Sequence, residues 1–276
     1  MKIIDYINSI AYRIRNAMNI LNSKKRRIER LNCTIKTCTN CRLSETRTNA
    51  ICGEGDLDTR LMLIAQAPGI NEDREGKMFI GPSGRILDEL LSNAGVSRRD
   101  IYITNLIKCM LPNYRKPKQD EIDACSPYLD EEIDIIDSDM LVPLGYYALK
   151  FLLGKYQIEE IAKNNLSNIN AKLIIADSKK IFPLRHPVTL LYNKDLREEM
   201  AKNYRMLKTL QSQCKWYPVC PVRRYYEMGK IERKWVELYC KGNWESCIRY
   251  QMEEKEVYHP DWMLPDGTID KRLKNY

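Results

Sequence analysis

Four short apolar runs, each of four or five residues, constrain this chain more than any other feature. They are Leu61-Met62-Leu63-Ile64-Ala65, Ile101-Tyr102-Ile103-Thr104, Met140-Leu141-Val142-Pro143-Leu144 and Leu173-Ile174-Ile175-Ala176. Runs this short, without polar alternation, read as strands buried on both faces. Stretches of helical periodicity separate or follow them, at 84–94, 118–136, 146–153 and 193–212. The alternation predicts an α/β fold of three layers, α/β/α, around a central, mostly parallel four-stranded sheet. Ligands of such sheets sit beyond the carboxyl ends of the strands, so the residues after each run carry the chemistry.

The chain has 276 residues, enough for one large domain with appendages. A 44% hydrophobic share beside 30% charged residues excludes a disordered chain. No apolar run approaches the roughly 18 residues of a membrane span. The opening MKIIDYINSIAYRIRN breaks its apolar positions with charge, unlike a secretory signal. A cytoplasmic location without membrane contact is therefore expected. The net charge of +8 is concentrated, because residues 1–31 hold eight basic side chains against Asp5 and Glu29. Ile3, Ile7, Ile10, Ile14, Ala17, Leu21, Ile28 and Leu31 recur there at spacings of mainly three and four, which predicts a basic amphipathic helix over 1–31. Its run Lys24-Lys25-Arg26-Arg27 suits either a solvated face or contact with a phosphate backbone.

Residues 32–212 hold the strand–helix alternation and read as one domain. After the first run comes Gln66-Ala67-Pro68-Gly69, and a glycine-rich loop then continues through Phe79 to Gly84. Glycine and proline at this density fix a tight loop whose amides can face a ligand. No Gly-Lys-Ser/Thr closes it, so it is not a Walker loop. After the second run comes Asn105-Leu106-Ile107-Lys108-Cys109, and after the last comes Arg185-His186-Pro187. Ten cysteines in a chain of this length do not read as a disulfide scaffold; short regular spacings read as metal or iron–sulfur ligands. Cys38 and Cys41 are spaced C-x2-C, and Cys109 and Cys125 are spaced C-x15-C.

Taken in order, AQAPGINEDREGKMFIGPSG, TNLIKC, RHPVTLL and the pair CTNC with Cys109 and Cys125 resemble the motifs of family 4 uracil-DNA glycosylases. These are the iron–sulfur members of the uracil glycosylase superfamily, and the resemblance spans about Cys38 to Leu210. It implies a monofunctional DNA N-glycosylase of base excision repair that hydrolyses the N-glycosidic bond of a flipped-out uracil and leaves an abasic site. It implies that Ala65, Gln66, Ala67, Phe79, Asn105 and His186 bind the uracil. Phe79 would stack beneath the base, and Asn105 would read its edge with one amide donor and one acceptor. His186 would donate a hydrogen bond to uracil O2 as charge moves onto the leaving base. Each residue also has a plainer reading, in core packing for Phe79 or an Asx turn for Asn105.

The same resemblance implies a [4Fe–4S] cluster on Cys38, Cys41, Cys109 and Cys125; four thiolates would equally satisfy structural zinc. Gln66 stands where the family usually carries Glu, which removes a carboxylate from that position. Glu72 and Asp73 are then the candidates for positioning water, with Asp73 taken with Gln66 and His186 as catalytic. Leu190 or Leu191 is the candidate wedge for the space the base vacates. The expected partner is uracil-containing DNA, single- or double-stranded, with replication or repair proteins as further candidates. The competing functions are a glycosylase for another deaminated base such as hypoxanthine, and a non-catalytic damaged-DNA-binding protein.

Residues 213–276 differ in composition and read as a small separate module holding all four tryptophans. Cys214-x5-Cys220-x19-Cys240-x6-Cys247 fits neither common zinc fingers nor ferredoxin runs. A second cluster or zinc, and unligated buried thiols, both remain open there. Arg223, Arg224, Arg233, Lys234 and Arg249, interleaved with aromatics, suit nucleic-acid contact or the rind of a small domain. His259 reads as structural.

Overall fold

The computed structural model describes residues 20–158, 166–176, 179–211, 214, 216–217 and 219–276. Its centre is a six-stranded mixed sheet formed by β1 (Glu54–Gly55), β2 (Leu61–Ala65), β3 (Tyr102–Asn105), β4 (Met140–Pro143), β5 (Ile174–Ala176) and β6 (Lys179–Ile181), in the order β1-β3-β2-β4-β6-β5. The four inner strands β3, β2, β4 and β6 are parallel. Short antiparallel strands, β1 and β5, close the two edges. The predicted four-stranded parallel core is present, with one exchange of membership. The run at 173–176 is an edge strand, and the fourth parallel strand is Lys179–Ile181. Lys180 masks that strand in the sequence; it is buried because it pairs with Glu237 at 3.1 Å.

The helices described are α1 (20–36), α2 (Ile70–Glu75), α3 (Pro82–Asn93), α4 (Gln119–Ile136), α5 (Tyr146–Lys155), α6 (Leu166–Ile169), α7 (Thr189–Tyr192), α8 (Arg197–Gln211), α9 (Pro221–Glu227) and α10 (Ile248–Glu253), with short single turns between some of them. Alternation along β2 divides the core into two layers. Met62 and Ile64 join Leu129, Ile133 and Ile136 of α4, Ala148, Leu149 and Leu152 of α5, and Ile28, Leu31 and Ile35 of α1. Leu61, Leu63 and Ala65 join Leu87, Leu90 and Leu91 of α3 and Met200, Tyr204 and Leu207 of α8.

The first nineteen residues of the expected N-terminal helix lie outside the described residues. From residue 20 the helix runs to 36, past the expected boundary at 31, and its Ile28-Leu31-Ile35 stripe belongs to the main core. Lys24 of the basic run turns inward, donating to the carbonyls of Ile136 (2.8 Å) and Leu57 (3.2 Å). A cation at that end of α4 offsets the helix dipole. Lys25, Arg26 and Arg27 stay exposed.

One buried ion pair joins α4 to β3. Lys108 Nζ lies 2.5 Å from Glu132 Oε2 and also donates to Thr104 Oγ1 (2.7 Å) and the Asn105 carbonyl (2.8 Å). Glu132 Oε1 accepts from the Gly53 amide and the Tyr102 hydroxyl. Removing one member strands the other charge in the core. Glu132→Ala is therefore expected to cost about 3–5 kcal/mol of stability, read as a lower urea midpoint, with Glu132→Gln costing less. A shift of Glu132→Ala below ~1 kcal/mol would contradict a structural role for the pair.

Candidate active site

The carboxyl ends of the parallel strands leave the sheet together because the ladder hydrogen bonds continue past them. Leu106 N donates to Ala65 O and Ile107 N to Gln66 O, at 2.8 and 2.9 Å. Leu144 N donates to Ile64 O, Leu184 N to Pro143 O and Gly145 N to Leu184 O, at 2.8 to 3.0 Å. The segments after β2, β3, β4 and β6 thereby converge on one cleft of about 450 Å³, lined by Gln66, Ala67, Gly69, Glu72, Gly145, Tyr146, His186 and Leu191 among others. A smaller pocket of about 20 Å³ shares Ala67, Gly69, Glu72, Ser83 and His186 with the cleft and adds Met78, Phe79 and Asn105.

Phe79 is buried and held with a left-handed φ of 50°. Its carbonyl lies so close to Gly84 that a Cβ there would sit 1.7 Å from the oxygen, so α3 can begin only with glycine at that position. Arg98 fastens the loop from the other side, donating to the Phe79 carbonyl (3.2 Å) and to that of Met78 while pairing with Glu54 and Asp88. Asn105 ends β3 opposite Ala65, with its Nδ2 3.2 Å from Met78 Sδ and its own carbonyl held by Lys108.

The His186 ring lies against Phe79 with centroids 5.7 Å apart and planes at 26°. Its Nδ1 accepts the Val188 amide at 3.1 Å, which leaves the proton on Nε2. Burial pushes the imidazole down to about 4, so it is neutral at ordinary pH. Gly145, at φ 88°, packs against it; a Cβ there would meet His186 Cβ at 3.5 Å.

A family model described as the uracil DNA glycosylase superfamily matches residues 52–210, more than half of the chain. The chain belongs to that superfamily. It is 34% identical over 215 residues to the type-4 uracil-DNA glycosylase of Sulfurisphaera tokodaii, covering 75% of this chain and 93% of the relative. To the type-4 uracil-DNA glycosylase of Thermotoga maritima it is 40% identical over 162 residues, 58% of this chain and 81% of the relative. A type-5 uracil-DNA glycosylase of Pyrobaculum aerophilum is 28% identical over 154 residues, 50% of this chain and 66% of the relative.

Within this uracil-DNA glycosylase superfamily fold, Gln66, Ala67, Phe79, Asn105 and His186 come together. Three expected residues do not fit. Ala65 is buried inside β2 with its carbonyl spent on Leu106, and it lines neither cavity. Asp73 turns away, accepting the amides of Thr48 (3.0 Å) and Asn49 (3.3 Å), so it caps a loop instead of facing the cleft. Its neighbour Glu72 faces the cleft, buried between Gly69 and Gly81 and accepting the Gly81 amide at 2.8 Å. Leu190 is 3% exposed in the core, whereas Leu191 is 44% exposed at the cleft. Arg98 and Gly145 carry no motif signature, and sequence reasoning missed both; the positive φ of Gly145 has no residue-level cue beyond glycine itself.

Cys38, Cys41, Cys109 and Cys125 line one cavity beneath the β3 loop. Three N–H groups point at their sulfurs: Arg47 Nη1 at Cys109 (3.1 Å), Lys108 N at Cys125 (3.2 Å) and Asn40 N at Cys38 (3.5 Å). Hydrogen bonds to thiolate sulfur are how proteins tune iron–sulfur sites, so this donor set fits the cluster that the resemblance implies. Among the described residues no three Cys, His, Asp or Glu side chains are grouped to hold a metal ion. In the C-terminal module Arg249 is buried, with Nη1 on the carbonyls of Pro260, Asp261 and Met263, so it is not a DNA-backbone contact. His259 Nε2 lies 3.0 Å from Glu253 Oε1.

The depressed pKa of His186 fixes a sign. The unfolded imidazole, near 6.5, takes up its proton at higher pH than the folded one. Stability tied to neutral His186 is thus complete above the unfolded value and lost as pH falls toward about 4. The stability advantage of wild type over His186→Gln should shrink between pH 6.5 and 4.5 in urea titrations. An advantage that stays constant across that window would contradict a buried neutral imidazole.

Proposed function

We propose that the chain is a uracil-DNA glycosylase of base excision repair, acting on uracil-containing DNA. The observation that carries this reading is His186, held neutral with its Nε2–H free to face a pocket that also contains Phe79 and Asn105. A uracil rotated out of the DNA enters from the cleft and stacks on Phe79, and the Asn105 amide pairs with its edge. As the C1′–N1 bond breaks, its electron pair moves onto the base. His186 Nε2–H hydrogen-bonds uracil O2 and stabilises the developing anion without surrendering its proton. The cationic sugar is captured by water on its opposite face, and the proton released from that water returns to the departing base. Glu72 is the carboxylate placed to hold the water, and Gln66 binds the base without adding charge. Cys38, Cys41, Cys109 and Cys125 would hold a [4Fe–4S] cluster that crosslinks the segment after α1 to the β3 loop and α4.

The test is alkaline cleavage of labelled oligonucleotides carrying one uracil, hypoxanthine or cytosine. Cleavage confined to uracil is expected, with His186→Ala lowering the single-turnover rate about 100- to 1,000-fold while binding persists. Asn105→Asp should admit cytosine. Tight binding with no cleavage of any substrate would overturn the enzyme reading.

The two leucines after His186 separate cleanly. Leu190→Ala should cost about 2–5 kcal/mol of stability and leave the rate per folded molecule nearly intact. Leu191→Ala should leave the urea midpoint unchanged and slow excision from duplex more than from single strands. Equal effects of both on the midpoint would remove Leu191 as the wedge.

A further inference from the structure

The glycosylase reading leaves the four cysteines of the C-terminal module unused. Cys214, Cys220, Cys240 and Cys247 come from four separate segments yet line one cavity of about 80 Å³. Three of the thiols are buried, and none of the four forms a disulfide. The backbone brings them together deliberately. Cys214 N donates to Cys240 O at 2.8 Å, while Cys220 and Cys247 occupy the N-cap positions of α9 and α10.

We propose that these four cysteines bind a second [4Fe–4S] cluster. The wall of the cavity argues for a charged occupant. Arg249 is 4% exposed, and although its Nη1 serves three carbonyls, its Nε is buried with no acceptor. A guanidinium is always charged, and an unmade buried hydrogen bond costs about 1–3 kcal/mol. A thiolate-bound cluster supplies what is missing, negative charge and sulfur acceptors. The first quartet has the same device, in which Arg47 Nη1 donates to Cys109 Sγ at 3.1 Å.

The size of the module points the same way. Its apolar packing is split between two small clusters, and Cys214 and Cys240 are two of the five buried residues in one of them. A core this small ordinarily needs a staple. Zinc would draw four sulfurs to about 2.3 Å from a single point, whereas a cluster spreads its four thiolates over several irons. The thiols instead ring a cavity walled by Tyr217, Trp244 and Tyr250.

The full chain, purified without oxygen, gives the test through iron, zinc and acid-labile sulfide per chain. Two clusters give roughly eight iron and eight sulfide, against about four of each for one. Cys240→Ser should then halve both counts and leave uracil excision at the wild-type rate, while Cys109→Ser should halve them independently. About four iron per wild-type chain overturns the proposal, and four iron with one zinc does so in favour of a mononuclear site. Eight iron in a protein inactive on uracil would uphold the second cluster while removing the glycosylase reading.

Discussion

Much of this molecule hangs on the desolvated contact between Lys108 and Glu132. An ion pair taken out of water recovers its desolvation cost only when the remaining donors and acceptors are also satisfied. Here they are: the ammonium also serves Thr104 and the Asn105 carbonyl, and the carboxylate also serves Gly53 and Tyr102. The pair therefore fixes geometry. It locks the end of β3 to α4, so Asn105 on one side and Cys109 and Cys125 on the other inherit one rigid frame.

That frame also sets how close the proposed base reader lies to the proposed cluster ligands in sequence. Asn105 and Cys109 leave the same strand, four residues apart, and the Lys108 amide points at the sulfur of Cys125. Loosening the quartet removes the constraint on the segment that carries Asn105. In the proposed glycosylase the cysteines would support recognition through the backbone alone.

The architecture was largely legible because three of the four inner strands are buried on both faces and carry short apolar runs, and both helical layers show clean periodicity. β6 was not legible. A lysine in a strand reads as a break, and the distant Glu237 together with the Lys241 carbonyl makes burial of Lys180 tolerable. The site was legible as strings but not in the direction of each side chain. Glu72 and Asp73 are neighbours on one helix, where each residue turns about 100° from the last, so one faces the cleft and the other a loop. Leu190 and Leu191 part for the same reason. Arg98 lies outside the motifs and holds the Phe79 loop through its carbonyls, which leaves no local pattern to find.

The pocket between Phe79 and His186 has room for little more than one water. In the proposed glycosylase a base stacked on Phe79 needs more room than this, so the two rings must part whenever one arrives. The work of parting them is the same for uracil, cytosine or thymine, and it confers no selectivity. It lengthens the time any base must stay outside the helix before being accepted. Bases that linger there, in single strands or mispairs, gain entry more often than those held in a sound duplex. In that reading the slot filters by dwell time before Asn105 filters by chemistry.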